Sequence, residues 1–528
     1  MLAILAGALL LRILPLGVFS TEYDEGVYWL SLRAMAQGHA LYSSIYYAQP
    51  PFFLLSIYPI FVLLGQTLVA ARFVVALYSL LGIVALYLIG KGLGGRYVGL
   101  IAALVLAVDP VYLLISRTLD AEAPAIALML VGIALGVEAL PRRGRARQVV
   151  IALSGVILGL ATMTKLFAVV GVVPIALLLA WPGVVRVGAR PFDQQRHHAQ
   201  RSRLLHAGVH RTPVRDAARG ALVDSWPELA VLLAGFVVAC AVVLAPFLGS
   251  TSALYSQAIG LHLDAAHTLN QGIGYNLTTI AGQMRGLTGE PFAVLWLLLA
   301  AVTFPFWRRS PIAMVVVVWG LASLLVLAAQ QPLFEHHIAL LAPPVALLAA
   351  LLVYWSMPLG KLGRVKRAGA TTRTLRALAQ PTVLLYAALI LLGASLVVNL
   401  IGSAQQIQAA IAYPATQQVL TSFDLGTSSV PGEPVVTDDP YLAGLAGRTL
   451  PPQLIDTSLV RIRTGSLTAM QVEDIVTSQG IHVILFENGR LDAVPGLRAW
   501  VQQNFAVSKD YGGGRVLYVK RPPPPVNV

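Results

Sequence analysis

Hydrophobic positions along this chain gather into long blocks separated by short polar segments. Eleven blocks read as membrane-spanning helices: Met1–Phe19, Phe73–Gly90, Val98–Ile115, Pro124–Leu140, Val149–Met163, Phe167–Trp181, Leu229–Gly249, Phe292–Trp307, Ile312–Ala329, Ile338–Met357 and Val383–Ile401. Roughly 20 apolar residues cross the hydrocarbon layer. Lipid offers the backbone no hydrogen-bond partner, so helices are expected. A twelfth block, Phe52–Leu64, is short, begins at Pro50-Pro51 and carries Pro59 in its middle. It reads as a segment lying on the membrane. After Ile401 the pattern shortens. "EPVVTDDP", "PPQLIDTS", "HVILFE" and "RVLYVKR" predict strands, while "TAMQVEDIVTSQG" and "GLRAWVQQNF" carry helical spacing. "GGGR" at Gly512 predicts a hairpin turn. Two regions follow: a membrane domain over 1–401 with a first outer loop at 20–71, and an α/β domain over 402–528 ending in a Pro-rich tail.

Positive charge orients these blocks. With eleven spans and the N-terminus inside, the inner loops hold 22 Lys and Arg. The outer segments before the last span, the first bounded at 20–71, hold only Arg33, Arg117, Lys165 and Arg285. Counting Phe52–Leu64 as a span would reverse every later loop, against the positive-inside rule. The expected protein is therefore an α-helical polytopic membrane protein of about eleven transmembrane helices, N-terminus in and C-terminus out. Its α/β domain would be extracytoplasmic, in a cell membrane.

Composition agrees with this reading. The chain has 528 residues, 57% hydrophobic and only 12% charged, with mean hydropathy +0.74. That is about half the charge of a soluble protein. The net charge of +13 is explained by topology and needs no nucleic-acid partner. One cysteine, Cys240, allows no intrachain disulfide. Met1–Phe19 lacks a basic start and a small-x-small cleavage site, so it is expected to be a span and not a signal peptide. His197, His198, His206 and His210 sit among arginines in an inner loop and read as a solvated basic linker.

Topology places several polar residues on one membrane face. Asp24 and Glu25, in "STEYDEGVYW", suit a helix cap with Thr21 or a general base at the lipid boundary, where burial raises a carboxylate's pKa. Their helix would lie flat on the membrane, with Val27, Leu30 and Ala34 on its apolar side. Asp120 and Glu122 stand beside Arg117, as a structural ion pair or as functional acids. Lys165 occupies a tight turn, to snorkel or to hold a phosphate. Tyr46 to Leu55 reads as an aromatic belt. His336 and His337 follow Glu335 at an outer helix end.

In order, "YDEGVYW", "QPPFF", "AARF", "SRTLDAEAP", "MTKLF" and "EHHIALLAPP" resemble the C-type membrane glycosyltransferases that use polyprenyl-phosphate sugars. The resemblance is closest to the protein O-mannosyltransferase and aminoarabinose transferase branch, and it covers Met1 to about Met357. It implies Asp24 as catalytic base, with Glu25 completing the catalytic acid pair. Asp120 takes the place of the family's second acid, and Thr164 and Lys165 that of its Thr-Lys pair. Substrate would be bound by Asp120, Glu122, Arg117, Lys165, Tyr28, Tyr47, Gln49, His336 and His337. Gln49 stands where the family often has a basic residue. The implied reaction moves a sugar from a polyprenyl-phosphate carrier to a lipid, protein or glycan acceptor at the extracytoplasmic face, with inversion. Transition-state charge would be met by carboxylates and a cation. No nucleotide site is needed. A divalent cation is left open, at Asp24, Glu25 and Asp120 if anywhere. The alternative is a transporter or flippase of lipid-linked or small polar substrates. Against it stand the lack of an internal repeat and the clustering of charge at one face and not at midplane.

Overall fold

The computed structural model describes residues 1–180, 214–269, 271–284, 292–307, 310–356 and 381–521. The chain opens with α1 (Leu2–Ile13), α2 (Tyr23–Ala36), α3 (Phe52–Leu63), α4 (Leu68–Gly94), α5 (Arg96–Ala107), α6 (Pro110–Ile115), α7 (Glu122–Ala139), α8 (Gly144–Thr164) and α9 (Val172–Ala180). Later long helices are Val214–Leu244, Ala293–Trp307, Pro311–Ala329, Ala342–Ser356 and Pro381–Ala412. Among the described residues, seven helices are long and apolar enough to cross a membrane.

Each of the eleven predicted blocks contains a helix, but four of these helices are short: Leu2–Ile13, Arg96–Ala107, Leu166–Ala180 and Ala293–Thr303. The Val98–Ile115 block is not one continuous helix. The Asp109 carboxylate accepts the Tyr112 N–H at 2.8 Å, and Pro110 begins a new helix. This N-cap with Pro behind it starts α6 and ends α5. Phe52–Leu63 is also a short helix. The His-rich stretch at His197, His198, His206 and His210, the outer-loop Arg285 and the Pro-rich tail lie outside the described residues.

α7 lies at the centre and is buried along nearly its whole length. α4 and α8 flank it. α8 meets helix Val214–Leu244 backbone to backbone. A Cβ on Gly155 would lie 2.0 Å from the Leu232 carbonyl oxygen, and one on Gly159 would lie 2.6 Å from that of Phe236. Small residues four apart permit this approach, the usual way helices gain packing energy in lipid. By contrast, Val383, Ile390, Val397 and Ile401 on the last long helix are exposed.

The last long helix runs on to Ala412, past the expected boundary at 401. The α/β domain beyond carries a sheet of four strands: β1 (Val436–Thr437), β2 (Val483–Phe486), β3 (Phe505–Gly512) and β4 (Arg515–Lys520). Their order is β1-β2-β4-β3. β1 pairs parallel with β2, and the other pairs are antiparallel. Helices Ala469–Ser478 and Leu497–Asn504 form where their apolar spacing predicts, and Val472, Val476, Leu497 and Val501 pack against the sheet. Gly512 to Gly514 make the β3–β4 hairpin, all with positive φ. "PPQLIDTS" is not a strand. Pro452–Leu454 forms a 3-10 turn, because consecutive prolines remove the donors a ladder needs. β3 has no counterpart in the expected strands: it is an edge strand, exposed along most of its length, and so lacks the apolar alternation that marks a core strand.

Candidate active site

α2 carries the first acid pair. It begins at Tyr23 with Glu22 as N-cap and has no side-chain cap, so the expected Thr21–Asp24 capping box does not form. Nor is α2 half-exposed. Glu25 through Leu32 and Ala34 are all buried, because the α/β domain covers the face expected to meet solvent. A Cβ on Gly26 would stand 2.4 Å from the Tyr441 backbone nitrogen. Trp29 packs edge-on against Tyr441, and Arg33 donates to the Arg448 carbonyl at 3.3 Å.

Neighbours on the helix, Asp24 and Glu25 face different surroundings. Glu25 is fully buried and takes two hydrogen bonds from Arg72, Nε at 2.6 Å and Nη2 at 2.7 Å. It also accepts the Leu119 N–H at 2.7 Å. Arg72 Nη1 donates to the carbonyls of Leu16 and Val18. Glu25 therefore ties α2 to α4 and to the 116–121 loop, and both its oxygens are engaged. Asp24 makes no hydrogen bond or ion pair among the described residues. Burial pushes its carboxyl above the usual range, with His336 and Lys165 opposing. An unpaired carboxylate of raised basicity is suited to accept a proton.

The second acid pair separates in the same way. Glu122, at the start of α7, accepts from Lys165. His336 Nε2 lies 3.2 Å and His337 Nε2 3.4 Å from the same oxygen, Oε1. Asp120 accepts the Thr118 hydroxyl at 2.5 Å. Burial, then the charge of Glu122, pushes its carboxyl well up. Arg117 pairs with neither acid among the described residues. Lys165 sits where α8 ends and a 3-10 turn begins. Tyr28 is buried against Tyr47 and Phe53. Burial and then Asp24 push its phenol well above 10. Gln49 is half-buried, and its carbonyl accepts the Tyr42 hydroxyl at 2.7 Å.

Three further parts of this site lie outside the residues the sequence singled out. The first is Arg72. The second is a π-turn, Ser256–Gly260, where Gln257 accepts the Tyr47 N–H at 2.9 Å and donates to the Tyr42 carbonyl at 3.0 Å. His262 Nε2 lies 2.9 Å from the Ala48 carbonyl. Together these residues hold the "YYAQPP" turn. The third is the α/β domain, whose Asp456 and Thr457 bond the Tyr23 hydroxyl at 3.3 and 3.2 Å. Arg490 stacks over the Tyr23 ring and Arg461 over Tyr46.

Glu122, His336 and His337 offer ligand atoms within 4.8 Å of one another, a set suited to a divalent cation. This differs from the expected set of Asp24, Glu25 and Asp120. The hydrogen bonds argue against the fit as arranged. His337 Nδ1 accepts the Phe334 N–H at 3.2 Å, so its Nε2, 3.4 Å from Glu122 Oε1, carries the proton. Lys165 already balances that carboxylate.

The fold is shared with solved structures of other proteins. It is similar to ArnT from Cupriavidus metallidurans, solved bound to undecaprenyl phosphate. The TM-score is 0.59 at 16% identity, over 98% of this chain and 97% of that one. It is also similar to the Archaeoglobus fulgidus oligosaccharyltransferase, solved in complex with zinc and sulfate. There the TM-score is 0.51 at 14% identity, over 98% of this chain and 72% of that one. In sequence, residues 48–191 match the family described as dolichyl-phosphate-mannose-protein mannosyltransferase. That match takes in Asp120, Glu122 and Lys165 but neither Asp24 nor His336. No curated protein matches the chain.

Proposed function

We propose that this chain is a membrane glycosyltransferase that moves a sugar from a polyprenyl-phosphate carrier to an acceptor at the extracytoplasmic face. One observation carries the reading: an unpaired, half-buried Asp24 lies within the electrostatic reach of the Glu122–Lys165–His336 cluster. A base and a cation group are what inverting transfer from a phosphate needs. Asp24 takes the acceptor's proton as the acceptor oxygen attacks the anomeric carbon. The carbon–phosphate-oxygen bond breaks on the opposite face, and the lipid phosphate leaves with the electron pair. Lys165 and His336 meet its charge. Asp120 and Tyr28 bind the sugar, with Tyr47 and Gln49 on the adjoining turn. Glu25 serves Asp24 by fixing α2. The likeness of fold to ArnT supports a lipid-phosphate carrier, and the charge asymmetry of the loops supports eleven spans with the α/β domain outside.

The test is donor choice in reconstituted vesicles. Labelled polyprenyl-phosphate sugar should yield free polyprenyl phosphate and a labelled acceptor, whereas the matching nucleotide sugar should yield neither. Movement of intact donor across the bilayer without bond cleavage would favour a flippase and sink the proposal.

A further inference from the structure

Arg117 is expected to meet an acid, and it does not. It is only 7% exposed, and its Nη1 has no hydrogen-bond partner among the described residues. Burial, then the charge of Arg72, lowers its pKa to about 10. Arg72 is itself spent on Glu25 and two carbonyls. A cation whose buried nitrogen finds no acceptor destabilises the fold that holds it. Such a group persists where something else supplies the anion.

A cavity of about 330 Å³ lies against Arg117, lined also by Thr118, Phe19, Glu22, Ala409 and Tyr413. Its depth in the membrane follows from its walls. One wall, Ala409 to Tyr413, stands at the end of the apolar helix Val383–Ala412. The other comes just after α1. Phe19 and Tyr413 stack with centroids 5.6 Å apart and planes 3° apart. Aromatic pairs at the ends of spans sit at headgroup level. At its rim stands Glu22, exposed to solvent. The cavity thus offers an anion-seeking group at its floor, a carboxylate at its watery edge, and apolar walls toward lipid.

We infer that this cavity binds a zwitterionic aminophospholipid, with the headgroup phosphate on Arg117 and the ammonium on Glu22. Phosphate prefers a guanidinium over other partners. In such a lipid the amine lies beyond the phosphate, farther from the acyl chains, which matches Glu22 at the rim. A purely anionic lipid would leave Glu22 facing negative charge. Glu22 lies within electrostatic reach of His336 and Asp24, but neither Arg117 nor Glu22 carries a step of the transfer assigned to Asp24, Lys165 and His336, so failure of this inference would leave the transferase reading standing.

Native mass spectrometry of the full chain, with lipids added back after delipidation, tests this. Phosphatidylethanolamine should be retained about tenfold better than phosphatidylglycerol, and diacylglycerol should not be retained, the scale of one charge-assisted contact. Arg117→Gln should lose phosphatidylethanolamine by at least about tenfold, while Arg117→Lys should keep most of it. Glu22→Gln should abolish the preference over phosphatidylglycerol. Arg117→Gln should also melt no lower than wild type in lipid-free detergent, because it removes an unpaired charge, which keeps the comparison between folded proteins. The inference is overturned if Arg117→Gln retains the lipid as wild type does, or if phosphatidylglycerol binds as well as phosphatidylethanolamine. Displacement of the lipid by millimolar soluble phosphoethanolamine would mean that the ligand is not a membrane lipid, and would overturn it as well.

Discussion

Tyr23 and Thr457 stand 434 residues apart, and their hydroxyls are hydrogen-bonded at 3.2 Å. The Thr457 backbone N–H also donates to the Tyr23 oxygen, at 2.5 Å. The α/β domain thereby grips α2 one residue before Asp24. Arg490 over the Tyr23 ring, 3.9 Å from its centroid, tightens the grip. This domain is therefore part of the site's frame.

Tyr23→Phe keeps the ring and removes the hydroxyl. It leaves a buried N–H without its partner, a loss of about 1–3 kcal/mol. If the grip positions Asp24, kcat should fall about tenfold with KM for the donor little changed, since roughly 1.4 kcal/mol is a factor of ten. Steady-state kinetics on the purified variant check this. An unchanged kcat would mean that the domain does not position α2.

Glu25 should behave as a structural acid. Glu25→Gln leaves the Arg72 guanidinium buried with half its partner gone. Breaking a buried pair from one side costs about 3–5 kcal/mol. Thermal unfolding in detergent should show a drop of several degrees, and Arg72→Leu should show the same. A Glu25→Gln protein with wild-type stability and no activity would instead give Glu25 a chemical role.

Asp24 has the opposite signature. Its carboxyl is raised in the fold, mainly by burial. The folded state then binds the proton more tightly than the unfolded chain does. Stability contributed by protonated Asp24 is present below the unfolded pKa and is lost as pH rises through the folded one. At neutral pH the ionised form is a cost. Asp24→Asn should therefore melt at or above the wild-type temperature at pH 7, with the advantage vanishing below about pH 4. The same raised pKa moves the acidic limb of the wild-type rate profile above that of an ordinary aspartate. An acidic limb at or below about pH 4 would contradict the burial argument.

Lys165 is the lysine proposed to meet the charge of the leaving phosphate. Lys165→Met should reduce kcat by about 10²- to 10³-fold, the cost of losing one transition-state donor. Lys165→Arg should recover part of it. Equal loss in both, with reduced thermal stability, would mean that Lys165 serves only to balance Glu122.

Much of this was readable in the chain, for physical reasons. Apolar blocks and the placement of Arg and Lys declare membrane helices because lipid penalises anything else. Asp24, Asp120, Glu122, Lys165 and His336 stand out because charge is rare in such a sequence. Glu25 was legible as an acid but not as a clamp: its partner Arg72 opens an apolar helix 47 residues on, and only packing brings them together. A charge at the head of an apolar helix was the signal that could have marked Arg72. Gln257 and His262 act through polar contacts more than 200 residues away in sequence, in a segment whose pattern reads as plain outer loop. Burial of α2 was illegible for a similar reason. Its polar-looking face is covered by a domain more than 400 residues later in the chain, and nothing in the periodicity of α2 encodes that cover.

The central claim is that Asp24 is the base of a lipid-phosphate sugar transferase. Transfer from labelled polyprenyl-phosphate sugar by the Asp24→Asn protein, purified and shown to be folded by its melting temperature, tests it most directly. The account predicts a loss of about 10²- to 10⁴-fold in kcat, the range expected for removing a general base, with donor binding retained. Transfer by folded Asp24→Asn within about threefold of wild type, well short of that range, would contradict it.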